Sequence, residues 1–264
     1  MSDWPSRKGY ALVTGGAVRL GAYIARRLAA DGWNIAIHYN ASAKEADALA
    51  AELRETGVKC VAAGHNLGDA NGLADIFTRF NAELGFCSLL VNSASLFEYD
   101  DIRDVSAKTM DVLYGVNFRA PVLLARYFAD QLPEGEKGLV VNILDQKVFN
   151  LNPDFFSYTL MKAALESATR LLAMALAPRV RVCGVAPGLT LRSGDQTEEG
   201  FREAHAKTPL GQGSTPEEIA EAVAFISRIP SMTGTTVLVD GGQSMQKRTR
   251  DIMFSYGVNP PGGD

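Results

Sequence analysis

The sequence predicts a single α/β domain, a doubly wound parallel sheet with helices on both faces. Apolar runs of strand length alternate with longer stretches of helical periodicity, the pattern of successive βαβ units. Right-handed crossovers between such strands place helices on both sides of the sheet. No repeat, low-complexity stretch or linker divides the 264 residues, so 1–264 reads as one domain, with a core of about 10–242 and a C-terminal tail of 243–264.

Tyr10–Thr14 is the first strand and leads into a helix from about Leu20 to Ala30, ended by Asp31 and Gly32. Asn34–His38 is the second strand, and Ala43–Thr56 a helix with apolar residues at three- and four-residue spacing, closed by Gly57. Val58–Ala63 and Leu89–Asn92 are the third and fourth strands, with a helix over Asp69–Leu84 between them. One long helix near Ala107–Leu132 precedes the strand Gly138–Leu144, and a helix over Phe156–Ala177 leads to the strand Val180–Ala186. Leu189–Gly213 is polar and reads as a loop. A helix starts near Thr215 with Pro216 in its first turn, and Thr235–Asp240 is the last strand. The polar tail, Gln243–Asp264, reads as a loosely ordered terminus, with an active-site rim or a subunit interface as the alternative.

Composition narrows the function. With 47% hydrophobic residues, the chain can bury a large core without disulfides or metal. A net charge of −4 and no block of basic residues argue against nucleic acid or an anionic membrane as partner. Cys60, Cys87 and Cys183, odd in number and set in apolar runs, read as reduced core residues. Met1–Lys8 lacks the apolar stretch of a signal peptide and no segment has the length of a membrane span, so a cytoplasmic location is expected. His38, His65 and His205 lack metal-ligand spacing, no serine sits in a nucleophile elbow, and Asp100 with Asp101 reads as a solvated loop.

Ligands of such sheets bind beyond the carboxyl ends of the strands. There the first strand runs into Thr14, Gly15, Gly16, Ala17, Val18, Arg19, Leu20 and Gly21, opening into a helix. Glycines permit a tight turn and close approach of the backbone, and a helix N-terminus favours phosphate. The second strand ends in His38, Tyr39, Asn40, Ala41 and Ser42, with no acidic residue before Glu45. An acidic residue there would hold a ribose 2′-hydroxyl; a neutral, hydrogen-bonding end with Lys44 nearby suits a 2′-phosphate, so NADPH is the expected cofactor. Tyr158 and Lys162 lie four residues apart on one helix face. A phenol, with pKa of about 10, needs a neighbouring cation to lower it before it serves acid–base chemistry near neutral pH.

In that order and spacing, these residues resemble the short-chain dehydrogenases/reductases from Ala11 to Gly242. The likeness also includes Asn92, Ser93, Ala94 and Ser95 after the fourth strand, Asn117 in the next helix, Pro187 and Gly188 after the sixth strand, and Val239–Gly242. The resemblance implies a Rossmann-type reductase in which Tyr158 is the acid and Lys162 also holds the nicotinamide ribose. Asn117 would support a water relaying protons to that lysine. Asn92, Ala94, Pro187 and Gly188 would line the cofactor, with Asn66 and Leu67 at its adenine end. Members of the family are commonly homotetramers, which is the expected assembly.

Two departures point to a substrate. Arg19 stands where the family's turn usually has glycine, and Asp145 stands 13 residues before Tyr158, where a catalytic serine is usual. An ionised aspartate would raise the phenol's pKa, opposing the lysine. A carboxyl is a better partner than a hydroxyl for a substrate bearing ring nitrogens and amino groups. Both departures are similar to the pteridine reductase branch of the family. There Phe97 would stack the pterin against the nicotinamide, and Ser95 and Arg19 would contact pterin and cofactor. Ala41, where that branch often has arginine, and Asn66, where an aspartate is common, do not match it. The sequence-based expectation is an NADPH-dependent reductase of a dihydropterin or folate-like ring. A reductase of a ketone (an acyl thioester, sugar or steroid) and a non-catalytic NADPH-binding sensor are the alternatives.

Overall fold

The computed structural model of the chain describes residue 5 and residues 9–193 and 196–255. The remainder of Met1–Lys8, and the tail from residue 256 onward, lie outside the described residues. Seven parallel strands form one sheet in the order β3-β2-β1-β4-β5-β6-β7. They are β1 (Tyr10–Val13), β2 (Asn34–Tyr39), β3 (Cys60–Gly64), β4 (Cys87–Asn92), β5 (Gly138–Ile143), β6 (Val180–Pro187) and β7 (Thr236–Val239). The central strands are apolar on both faces because both are covered, as βαβ crossovers require. Ala11 and Val13 of β1 face the core beneath α1 (Arg19–Ala30), α2 (Ala43–Glu55) and α8 (Pro216–Arg228). Tyr10 and Leu12 face the opposite core, beneath α3 (Asp75–Leu84), α5 (Ala120–Gln131) and α6 (Phe156–Leu176). The strand order reverses between β1 and β4, which opens a crevice at their carboxyl ends.

Three stretches differ from the sequence reading. The helix expected over Asp69–Leu84 starts only at Asp75. Asn71 first turns back, its N–H donating to Asp69 Oδ1 at 2.9 Å, and Gly72 takes a left-handed φ of +78°. The single helix expected over Ala107–Leu132 is interrupted: α4 (Ala107–Tyr114) and α5 are joined by a π turn, Gly115–Arg119, where Ala120 N–H donates to the Gly115 carbonyl. The polar segment Leu189–Gly213 contains a helix, α7 (Glu198–Ala206), capped by the Thr197 side chain and buried through Gly200 and Ala204.

The Thr215–Pro216 start of α8 carries a reciprocal cap, Thr215 accepting from Glu218 N–H and Glu218 from Thr215 N–H. Cys60, Cys87 and Cys183 are free and buried. Among the described residues, no helix is long and apolar enough to cross a membrane.

Candidate active site

A cleft of about 1120 Å³ runs along the carboxyl edge of the sheet, from the end of β2 past β1 and β4 to Tyr158 and the C-terminal segment. Its first half is backbone. Gly15 adopts φ +60°, and a Cβ there would meet Ala94 Cα at 2.9 Å; a Cβ on Gly21 would meet the Gly15 carbonyl oxygen at 2.2 Å. The turn is thus packed against both its own helix and the loop after β4. Thr14 ties that loop down, its Oγ1 accepting from the N–H groups of Ser93 (3.0 Å) and Ala94 (3.1 Å).

His38 holds the turn from the other side. Its Nδ1 accepts from Gly15 N–H at 3.3 Å, so Nε2 carries the proton and donates to the His65 carbonyl at 2.9 Å. Burial pushes this imidazole down to about pKa 4, so it is neutral.

The N-cap positions of α1 (Val18) and α2 (Ser42) make no side-chain cap, and both line the cleft. Leu20, Tyr39, Asn40, Ser42, Asn66 and Leu67 line this half. The Asn66 amide oxygen accepts from Gly68 N–H at 2.9 Å.

Arg19 adopts φ +50°, which explains why glycine suits the position: a side chain there costs about 1 kcal/mol. That side chain crosses to the segment after β6, its Nη2 donating to the Arg192 carbonyl at 3.0 Å.

The second half is built from side chains. The Tyr158 hydroxyl donates to Asp145 Oδ2 at 2.9 Å, and Lys147 N–H donates to Asp145 Oδ1 at 2.8 Å. Lys162 Nζ donates to the Ile143 carbonyl at 2.8 Å and lies 5.6 Å from the Tyr158 ring centroid. Burial pushes the lysine down to about pKa 8, still cationic at neutral pH. Burial, then the charge and hydrogen bond of Asp145, hold the phenol well above its ordinary value. Removal from water also raises the Asp145 carboxyl, against the Lys147 N–H and the nearby lysines. The phenol therefore keeps its proton and shares it with Asp145, the opposite of a free phenolate.

Asp100 corrects the sequence reading. It is buried, its carboxylate accepting from Ser157 N–H at 2.9 Å, so it anchors the start of the helix that carries Tyr158; Asp101 pairs instead with Arg103.

Ala94, Ser95, Phe97, Pro187 and Gly188 line the cleft. Phe97 stacks on Phe155, with centroids 4.0 Å apart, and meets Tyr158 edge to face at 4.7 Å. Asn92 and Asn117 lie behind the lining. The Asn92 amide donates to Asn142 Oδ1 at 2.8 Å, and the Asn142 amide to Thr169 Oγ1 at 2.9 Å, bolting β4 and β5 to α6. The Asn117 side chain grips both backbone groups of Leu96 at 2.8 Å, so the π turn positions the loop bearing Ser95 and Phe97.

Sequence reasoning does not single out Lys147, which also lines the cleft. In the tail, Asp251, Ile252 and Met253 are buried in the cleft wall, which is the active-site rim given as the alternative and not a loosely ordered terminus. Lys147 offered a faint signal, a lysine two residues after Asp145. No residue of the tail is marked individually, because polar composition does not show which positions fold back.

The fold and this site define a nucleotide-dependent oxidoreductase architecture, and the chain belongs to the short-chain dehydrogenase/reductase family. The family model described as enoyl-(acyl carrier protein) reductase matches residues 16–244. Pteridine reductase 1 of Leishmania tarentolae is 31% identical, the match covering 90% of this chain and 96% of that protein. FolM alternative dihydrofolate reductase 1 from Brucella canis, solved in complex with NADP, superimposes with a TM-score of 0.89 at 40% identity, over 94% of this chain and 98% of that one. A short chain dehydrogenase from Burkholderia cenocepacia, also solved with NADP, superimposes with a TM-score of 0.83 at 30% identity, over 90% and 99% of the two chains.

Proposed function

We propose that this protein is an NADPH-dependent pteridine reductase that reduces a dihydropterin or dihydrofolate-like ring. The observation that carries the substrate class is the Tyr158–Asp145 hydrogen bond of 2.9 Å. A ketone reductase needs a donor beside the phenol for the developing oxyanion, and a carboxylate cannot donate unless protonated. Asp145 accepts, so it suits a substrate edge that presents N–H groups. The NADP-bound relatives and the pteridine reductase support the same reading.

The residues present fit the cofactor. The Gly15 and Gly21 positions are filled by backbone that a Cβ would displace, and the uncapped starts of α1 and α2 offer N–H groups at one end of a long cleft. The turn would hold the pyrophosphate and Tyr39–Ser42 the 2′-phosphate; Asn66 and Leu67 would bound the adenine, Lys162 the nicotinamide ribose, and Pro187 and Gly188 the nicotinamide side. When bound, NADPH supplies the hydride that goes to a ring C=N carbon.

This chain's own residues supply the proton. Tyr158 holds it on its hydroxyl, Asp145 holds the phenol in place, and Lys162 stabilises the charge left on the pair as the proton passes to the ring nitrogen. Phe97 offers an aromatic surface for the ring, and Ser95 and Arg19 offer donors for its oxygen edge. Asn117 acts by fixing Leu96 between Ser95 and Phe97. A cytoplasmic homotetramer is proposed with it, for which exposed Leu160, Leu171 and Met174 on α6 provide an apolar face.

NADPH consumption measured with dihydrobiopterin, dihydromonapterin and dihydrofolate beside a panel of ketones tests the reading. Turnover confined to the pterins and folate is expected. Turnover of ketones alone would remove the substrate assignment and leave the reductase chemistry.

A further inference from the structure

The C-terminal segment reaches the reacting groups through one buried ion pair. Lys147 is almost wholly buried, and its ammonium donates to Asp251 Oδ2 at 2.7 Å and to Asn152 Oδ1 at 2.8 Å, 5.6 Å from the Phe155 ring centroid. The backbone N–H of this same lysine donates to Asp145 Oδ1 at 2.8 Å, in the short turn that Asp145 caps. Asp251 is itself fixed: its N–H donates to buried Asp154 at 2.6 Å, its Oδ1 accepts from Met253 N–H at 3.0 Å, and neighbouring Arg250 pairs with Asp154 at 2.8 Å. Ile252 and Met253 then form part of the cleft wall, Met253 packing with Leu113, Phe155 and Tyr158.

We propose that Lys147 and Asp251 are a positioning pair for Asp145, orienting its carboxyl and setting its charge, so that the C-terminal segment is part of the reactive site. The inference rests on reading Asp145 and Tyr158 as the proton-transfer pair. The charged or titratable groups around Asp145 are Tyr158 and Lys162 on α6, Lys147 on its own turn and Asp251 on the C-terminal segment, with the Asp154–Arg250 pair behind and the Ser95 hydroxyl on the β4 loop. In that set Lys147 favours an ionised Asp145, while Asp251 offsets that lysine's charge across their 2.7 Å ion pair and raises the phenol. Removing the two partners must therefore move Asp145 in opposite directions. A pair that only stitched the tail in place would move it in neither.

The test is a carboxyl carbon NMR titration of Asp145 in the full chain labelled at aspartate, the resonance being assigned by its loss in Asp145→Asn. Lys147→Met is expected to raise the Asp145 midpoint by about one pH unit or more, and Asp251→Asn to lower it. The double variant Lys147→Met/Asp251→Asn should return it toward wild type. Unmoved midpoints in folded single variants overturn the proposal. If Lys147→Met does not fold, Asp251→Asn decides alone: a downward shift supports the pair and an unmoved midpoint overturns it. Wild-type turnover of dihydropterin is measured beside the titration. Its absence would count against the proposed function, while the titration would still judge the ion pair.

Discussion

The two halves of the cleft are made of different material. The half from Ser42 to Gly21 is backbone: glycines that admit close approach, uncapped helix starts and a neutral histidine bracing the turn. The half around Tyr158 is side chain: a phenol, two carboxylates and two lysines removed from water, held by one another. Backbone geometry suits a ligand recognised by phosphates and shape. A web of buried charge suits proton transfer, and it lets single residues reset the substrate class without altering the fold.

Adding a Cβ should therefore ruin the first half, and removing a single polar group the second. Gly21→Ala, whose new carbon would fall 2.2 Å from the Gly15 oxygen, should raise the NADPH Kd by about 100-fold or more, about 2.7 kcal/mol, as read by cofactor fluorescence. Tyr158→Phe should leave that Kd within about threefold and lower kcat by roughly 100- to 10,000-fold in steady-state assays. Equal loss of cofactor affinity in both variants would erase the distinction.

The brace on the turn carries a pH signature. His38 titrates near 4 in the folded chain against an ordinary value of 6.5, so the unfolded chain takes up its proton first as pH falls. Stability from this residue is thus complete above 6.5 and lost toward 4, a change of roughly 3 kcal/mol. Denaturant unfolding of wild type against His38→Gln should show wild type losing that much more across the interval; parallel curves would mean that the histidine is not buried neutral.

The smallest effect belongs to Arg19, where the two halves meet. Arg19→Gly removes the penalty of φ +50°, about 1 kcal/mol, and should raise Tm by about 3 °C. It should also raise KM for the pterin, because the donor proposed for the ring's oxygen edge is lost. A lower Tm would show that the hydrogen bond to Arg192 outweighs the strain.

The same contrast governs what could be read in advance. The seven strands, the glycine turn and the spacing of Asp145, Tyr158 and Lys162 follow from local pattern, and the structure places them along one edge. Elements decided by tertiary packing were harder to read. Helix α7 had legible caps, Thr197 with Glu198 and Glu199, yet Gly200 and the polar surroundings masked it. The π turn at Gly115–Arg119 changes register without changing composition. Asp251 is opaque in sequence, because its partner Lys147 lies 104 residues earlier.

The central claim is that Asp145 turns a family reductase site into one for a nitrogen-rich ring. Its most direct test is kcat/KM of Asp145→Ser for dihydropterin and for a ketone substrate, measured side by side with wild type. The proposed role predicts a fall of about 100-fold or more for the pterin, because the carboxylate assigned to receive its N–H groups, and which orients the phenol, is gone. Unchanged pterin turnover together with new ketone turnover would contradict the role assigned to Asp145.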